Sequence, residues 1–251
     1  MARLPRLVIP GHPHVVIHRG HSGQAVLLDA ADRALYLASL NQSTGTAGVA
    51  LHAYALLSTE IRLLVTPNTT DGLADLMQSV GRRYVPAFNK KYGRTGSPWE
   101  GRFRSTVIEA ERHFLACLRF VEAWGEDVDL GAPSSTRAVP GSSAAHHLGI
   151  SADPLVADHP AFWALGNTPF EREAAYRRFA EQPPTEAEVA VILLAARNGW
   201  VLGSPAFCAM VAQKTGRRPQ PARRGRPARV SGSADTSDMT PISLSATRTK
   251  V

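Results

Sequence analysis

The sequence predicts an α+β fold in which helices pack on one antiparallel sheet, and three observations lead there. Short apolar runs bounded by turn residues recur through the first half of the chain, and two of them are only a few residues apart, as in a hairpin. Longer runs with apolar residues three and four apart alternate with them. The resulting order is β-α-β-β-α-β-α.

Val15 to Ile17, flanked by His14 and His18, reads as the first strand, and Gly20 and Gly23 lead from it into a helix from about Asp29 to Ser43, with Asp29 as its N-cap. Val49–Leu57 and Ile61–Thr66 form the hairpin, with a turn around Ser58 and Thr59. Asp71 can cap the next helix, whose apolar positions are Leu73, Leu76, Met77, Val80, Tyr84, Ala87 and Phe88. Pro86 sits inside that pattern and predicts a kink or break, because its ring presses on the preceding turn and removes a backbone donor. Gly93–Gly101 is a turn-rich loop, Phe103–Glu109 a fourth strand and Glu111–Trp124 another helix. Residues 1–125 then make a core domain, and 126–151, rich in Gly, Pro, Ser and Ala, an irregular connection. Residues 152–213 make a small helical appendage, in which Thr168-Pro-Phe-Glu171 has the form of a capping box. Residues 214–251 make a tail, basic at first, then Ser/Thr-rich and of a composition that favours disorder.

The chain has 251 residues, 44% of them hydrophobic, which is enough for a real core. No apolar run approaches the ~18 residues that a membrane-spanning helix needs, and Pro5, Pro10 and Pro13 interrupt any leader-like stretch. A cytoplasmic protein without membrane partners is expected. Cys117 and Cys208 form no Cys-x-x-Cys pair and are expected as small buried apolar residues. His12, His14, His18 and His21 have no evident carboxylate partner, and the adjacent His146 and His147 are expected to point apart, so no metal is assigned to either group.

The net charge of +7 is informative through its placement. Lys214, Arg217, Arg218, Arg223, Arg224, Arg226 and Arg229 lie in a stretch with no acidic residue and account for all seven charges. A second block, Arg82, Arg83, Lys90, Lys91, Arg94, Arg102 and Arg104, is opposed by Glu100 alone. Two basic blocks on a balanced body point to a polyanion partner. Trp99, Tyr92 and Phe103 interleave with the second block and are candidates to stack on bases, although Trp99 and Phe103 suit a core equally well. Arg223-Arg224-Gly225-Arg226-Pro227 contains an AT-hook-like Arg-Gly-Arg-Pro element, in which Arg224 and Arg226 could enter a narrow minor groove.

Pro5-Arg6 to Gly11, His14-Val15, His18-Arg19-Gly20, the long stretch from Gly81 to Ser105 and Leu115-Ala-Cys-Leu-Arg119 together resemble the REP-associated tyrosine transposases. These are relatives of the HUH single-strand insertion-sequence transposases, and the weaker similarity of Trp200–Pro227 extends the resemblance to residue 230 or so. It implies a ferredoxin-like sheet with helices behind it and a hairpin or single-stranded DNA substrate. It also implies chemistry in which a His-hydrophobe-His pair holds Mg²⁺ or Mn²⁺ while a helix-borne tyrosine attacks the scissile phosphate.

This chain departs from the pattern where that chemistry resides. The metal-ligand positions fall on Glu60 and Arg62, and the nucleophile position falls on Phe120. A guanidinium cannot ligate a cation, and a phenyl ring has no hydroxyl. The resemblance therefore implies DNA binding, with Arg82, Arg83, Lys90, Lys91, Arg94, Trp99, Arg102, Arg104, Arg224 and Arg226 as candidate contacts. It implies no bound metal and no intact catalytic residue. Three alternatives stay open: Arg62 as a phosphate clamp in the cation's place, Glu60 and Arg62 as a solvent-side ion pair, or Glu60 as a ligand in an active nuclease with Tyr84 or Tyr92 as a relocated nucleophile. A protein that uses the fold only as an interaction scaffold is a further reading.

Overall fold

A computed structural model of the chain describes residues 6–123 and 141–220. Four strands, β1 (His14–Arg19), β2 (Val49–Leu56), β3 (Glu60–Pro67) and β4 (Arg104–Val107), form one sheet in the order β2-β3-β1-β4, with every neighbouring pair antiparallel. Helix α1 (Ala30–Ala47) joins β1 to β2, α2 (Gly72–Tyr92) joins β3 to β4, and α3 (Ala110–Glu122) follows β4. This is the expected α+β architecture, and its strand order is ferredoxin-like.

Local chemistry sets the boundaries. Asp29 caps α1 reciprocally with Asp32, each carboxylate taking the other's backbone N–H, and Gly48 ends the helix in the left-handed conformation. Helix α2 keeps its full length through Pro86, so the expected break does not occur; the ring lies on an exposed position. Asp71 precedes that helix without a side-chain cap bond. In β2 the apolar alternation is loose because a bulge at His52 shifts the register between Leu51 and Ala53.

The alternation of the strands divides the core. Val16, Ile61, Leu63 and Val65 pack with Tyr36, Leu40, Leu76, Val80, Tyr84 and Phe88 of α1 and α2 on one face. Val15, Ile17, Ala53 and Leu64 pack on the other face, with Phe114, Cys117, Leu118, Phe120 and Val121 of α3. Five further helices complete the described chain: α4 (Ala144–His147), α5 (Pro160–Trp163), α6 (Pro169–Ala180), α7 (Glu186–Asn198) and α8 (Pro205–Thr215). The capping box at Thr168–Glu171 is present, and Thr185–Glu188 forms another.

These later helices join the same body. Phe162, Tyr176 and Ile192 enter the core beneath α3, while Phe207 and Val211 of α8 close over Leu7, Ile9 and Val107. Leu202 bridges Ile108 in parallel, and Trp200 O accepts the Thr106 hydroxyl, so the segment before α8 extends the edge at β4. Arg119 is buried and holds α3 to α7 through both oxygens of Glu188 at 3.1 Å. Of the irregular connection anticipated at 126–151, residues 126–140 lie outside the described residues, as does the tail from residue 221. No helix among the described residues is long and apolar enough to cross a membrane.

Candidate functional site

Positions 60 and 62 sit two apart on β3 and share the sheet face that α3 covers. The structure brings them together with position 120. The Arg62 guanidinium lies 4.6 Å from the centroid of the Phe120 ring and donates Nη1–H to the Phe120 carbonyl at 3.3 Å. Its Nε–H goes to Glu60 Oε1 at 2.6 Å, and Arg19 donates to the other oxygen of the same carboxylate. The Glu60 side chain is only 7% exposed and that of Arg62 17%, so the pair is largely covered.

This arrangement defines what the site can do. Both Glu60 oxygens are occupied by guanidinium donors and the neighbouring position carries a fixed positive charge, so these residues do not fit a divalent cation. A phosphate fits poorly too, since Glu60 already takes the anion's place between Arg19 and Arg62. Of the readings left open by the sequence, the ion pair describes the geometry best, but its expected solvent-side placement is overturned, because the pair lies inward against α3.

Tyr84 and Tyr92 belong to the opposite face. Tyr84 is fully buried and donates to the Val26 carbonyl, and burial holds its hydroxyl far above the usual phenol range. Tyr92 donates to Asp32 at 2.8 Å. Neither hydroxyl shares a sheet face with Glu60 and Arg62.

The cations of the second basic block are all exposed, but they differ in their engagements. Lys91 bridges Asp29 and Asp32 at 2.6 and 2.7 Å, and these two carboxylates hold its ammonium well above the usual lysine range. Arg83 donates to Ser79 and Ser43, Arg94 to Gln24 at 3.1 Å. Arg104 reaches the Arg197 carbonyl at the end of α7 at 3.2 Å, which takes it away from α2. Among the described residues, Arg82, Lys90 and Arg102 have no partner. Arg224 and Arg226 lie outside the described residues.

The aromatic candidates divide differently. Trp99 is 7% exposed, stacks on His18 with ring centroids 4.1 Å apart and meets Tyr36 edge-on. Phe103 is 8% exposed beneath the Arg6 guanidinium, 3.5 Å from its ring centroid. Both are core residues, and neither presents a free face for a base. Gly20 permits this packing: it bridges to Trp99, and a Cβ there would lie 2.0 Å from the Gln24 carbonyl oxygen. Burial lowers His18 to about 4, so it stacks as a neutral ring.

One polar cluster was not foreseeable from the residues alone. Glu122, two residues beyond Phe120, is buried and accepts from His147 Nδ1 at 2.7 Å, from the Tyr176 hydroxyl at 2.7 Å and from Ser143. The expectation that His146 and His147 point apart is overturned. Both residues lie on the helical turn α4, and Asp158 comes between their rings, within 3.3 Å of His146 Nε2 and 3.8 Å of His147 Nε2. Their convergence depends on residues up to 54 positions away in the chain, so no local signal could have announced it.

No family model matches the chain, and no curated protein sequence matches it. Among solved structures, it is similar to a REP-associated tyrosine transposase bound to a REP hairpin, with 14% identity, a TM-score of 0.46, and coverage of 64% of this chain and 96% of that one. It is also similar to a protein from Deinococcus radiodurans R1 described as a transposase, with 20% identity, a TM-score of 0.35, and coverage of 46% and 91%.

Proposed function

We propose that this chain is a DNA-binding protein of the tyrosine-transposase type that binds hairpin or single-stranded DNA and no longer cleaves it. The observation that carries the DNA reading is the set of exposed cations from α2 to the start of β4, above all Arg82, Lys90 and Arg102, which have no carboxylate partner among the described residues. Partnerless cations on a folded surface neutralise phosphates at little cost, whereas paired ones must first exchange partners. The sequence of the basic tail, with Arg224 and Arg226, would raise the local concentration of the protein on DNA. The reading of lost cleavage rests on Phe120, whose ring is covered by the Arg62 guanidinium where a nucleophile and a metal would be needed.

Gel shifts with hairpin, linear single-stranded and duplex DNA at increasing salt, run beside a nicking assay with Mg²⁺ or Mn²⁺, test both halves. Expected are a preference for hairpin or single strands, affinity that falls steeply with salt, and no covalent protein–DNA adduct. Adduct formation would overturn the loss of cleavage. Absence of any salt-dependent binding would leave the fold as an interaction scaffold and overturn the DNA reading. Phe120→Tyr supplies a sharper form of the same test: the hydroxyl returns without a metal site, and no adduct should form.

A further inference from the structure

We propose that His146, His147 and Asp158 bind a divalent transition metal of the zinc class, at a site separate from the Glu60–Arg62 pair. One donor atom from each residue lies within 4.8 Å of the other two. Tetrahedral zinc, with bonds of about 2.0–2.1 Å, sets its ligand atoms roughly 3.3–3.4 Å apart. The separations from Asp158 Oδ1, 3.3 Å to His146 Nε2 and 3.8 Å to His147 Nε2, lie close to that value. Two imidazoles and a carboxylate form a donor set that suits zinc, cobalt or nickel better than magnesium or calcium.

The buried neighbours of His147 are the stronger part of the argument. Its side chain is 1% exposed, and its Nδ1–H is directed at Glu122 Oε1, which is itself fixed by Ser143 while Oε2 takes the Tyr176 hydroxyl. A carboxylate that takes Nδ1–H leaves the Nε2 lone pair of a neutral ring pointing outward. That lone pair faces the Asp158 carboxylate at 3.8 Å, and among the described residues no hydrogen bond reaches Nε2. A cation between Nε2 and the Asp158 carboxylate would be held by both. The pocket beside them, about 280 Å³ and lined in part by His146, Asp158, Arg172 and Glu173, gives a metal access and leaves room for water to complete its coordination.

Loading has a structural consequence. In the metal-free arrangement His146 Nδ1 accepts the Asp153 N–H at 3.0 Å, which places that ring's proton on Nε2. Ligation through Nε2 moves the proton to Nδ1, so the Asp153 amide loses its acceptor and the turn before it shifts.

The test uses the full chain, stripped with a chelator and titrated with Co²⁺, followed by visible absorption, and with Zn²⁺, followed by calorimetry. One equivalent with a tetrahedral Co²⁺ spectrum is expected. His146→Ala and Asp158→Ala change partly exposed side chains, and each should weaken binding at least tenfold while the far-ultraviolet circular dichroism stays unchanged. Glu122→Gln keeps the ligands but loses the orienting carboxylate, and about ten- to hundredfold weaker binding is expected. A wild-type chain that takes up no stoichiometric metal would overturn the proposal and leave the cluster as hydrogen-bonded packing around Glu122. Wild-type affinity retained in both ligand variants would overturn it as well, because the metal would then reside on the histidines near the N-terminus.

Discussion

Both faces of the sheet bury apolar side chains, but they treat polar groups differently. On the α1 and α2 face, aromatic rings fill the interior, and the polar atoms within it are hydroxyls such as those of Tyr36 and Tyr84, while a buried carboxylate, Asp32, sits at the helix start and is held by the partly exposed Lys91. Beneath α3, carboxylates are enclosed with their partners: Glu60 with the Arg62 guanidinium, and Glu122 with the His147 imidazole. The first face sends its cations outward, toward solvent or a polyanion. The second has turned inward, and its charges satisfy one another. A site that must engage substrate cannot have all its donors spent on internal partners, which is why the outer cations, rather than the covered pair, are the place to look for function.

The largest effect should follow from breaking the inward pair. Glu60→Ala leaves Arg62 enclosed without its carboxylate, and removal of one partner of a buried pair costs about 3–5 kcal/mol. Because Arg62 keeps 17% of its side-chain exposure, the lower end of that range is expected, as a reduced midpoint in urea. Replacing both partners, as in Glu60→Gln with Arg62→Met, should recover much of the loss, since the one guanidinium left without its carboxylate, Arg19, is half exposed to solvent. If the single variant unfolds at the wild-type midpoint, the contrast between the two faces fails.

Smaller effects are expected from the hydroxyls of the aromatic face, and they should differ in sign. Tyr84→Phe removes the donor that satisfies the Val26 carbonyl and should cost about 1–2 kcal/mol. The Tyr36 hydroxyl is buried and finds no partner among the described residues, so Tyr36→Phe should stabilise the fold by about 1 kcal/mol. Chemical denaturation of both variants reads the pair. Equal losses would mean that the Tyr36 hydroxyl is satisfied by water.

The same contrast separates what was legible in the sequence from what was not. Strand and helix positions were readable because period and capping are local: Asp29, Thr168 and Thr185 stand where the helices begin. That Glu60, Arg62 and Phe120 would meet followed from the resemblance, which carries spatial information that periodicity lacks. Trp99 and Phe103 could not be assigned, because an aromatic among basic residues has the same pattern whether its ring packs inward or faces a base. The role of the later helices as a cover for the α3 face was hidden too, since Phe162, Tyr176 and Ile192 are brought to the sheet by long-range packing. Conversely, a proline that predicts a break proved compatible with a continuous α2 at a solvent-facing position.

The smallest effects should come from single surface cations, and they test whether internal engagement decides which of them meets DNA. Each phosphate contact contributes about 0.9 to the slope of log affinity against log salt for duplex DNA, and about 0.7 for single strands. Arg82→Ala and Lys90→Ala remove side chains without partners among the described residues, so each should reduce the slope by nearly that amount, with a roughly uniform loss across DNA sequences. Lys91→Ala removes a cation that Asp29 and Asp32 already hold, and a phosphate could claim it only by displacing two carboxylates. Its slope should match that of the wild type. An equal change for Lys91 and Lys90, measured by titration over the same salt range, would show that the ion pairs open on binding and that the outer face does not sort its cations in advance.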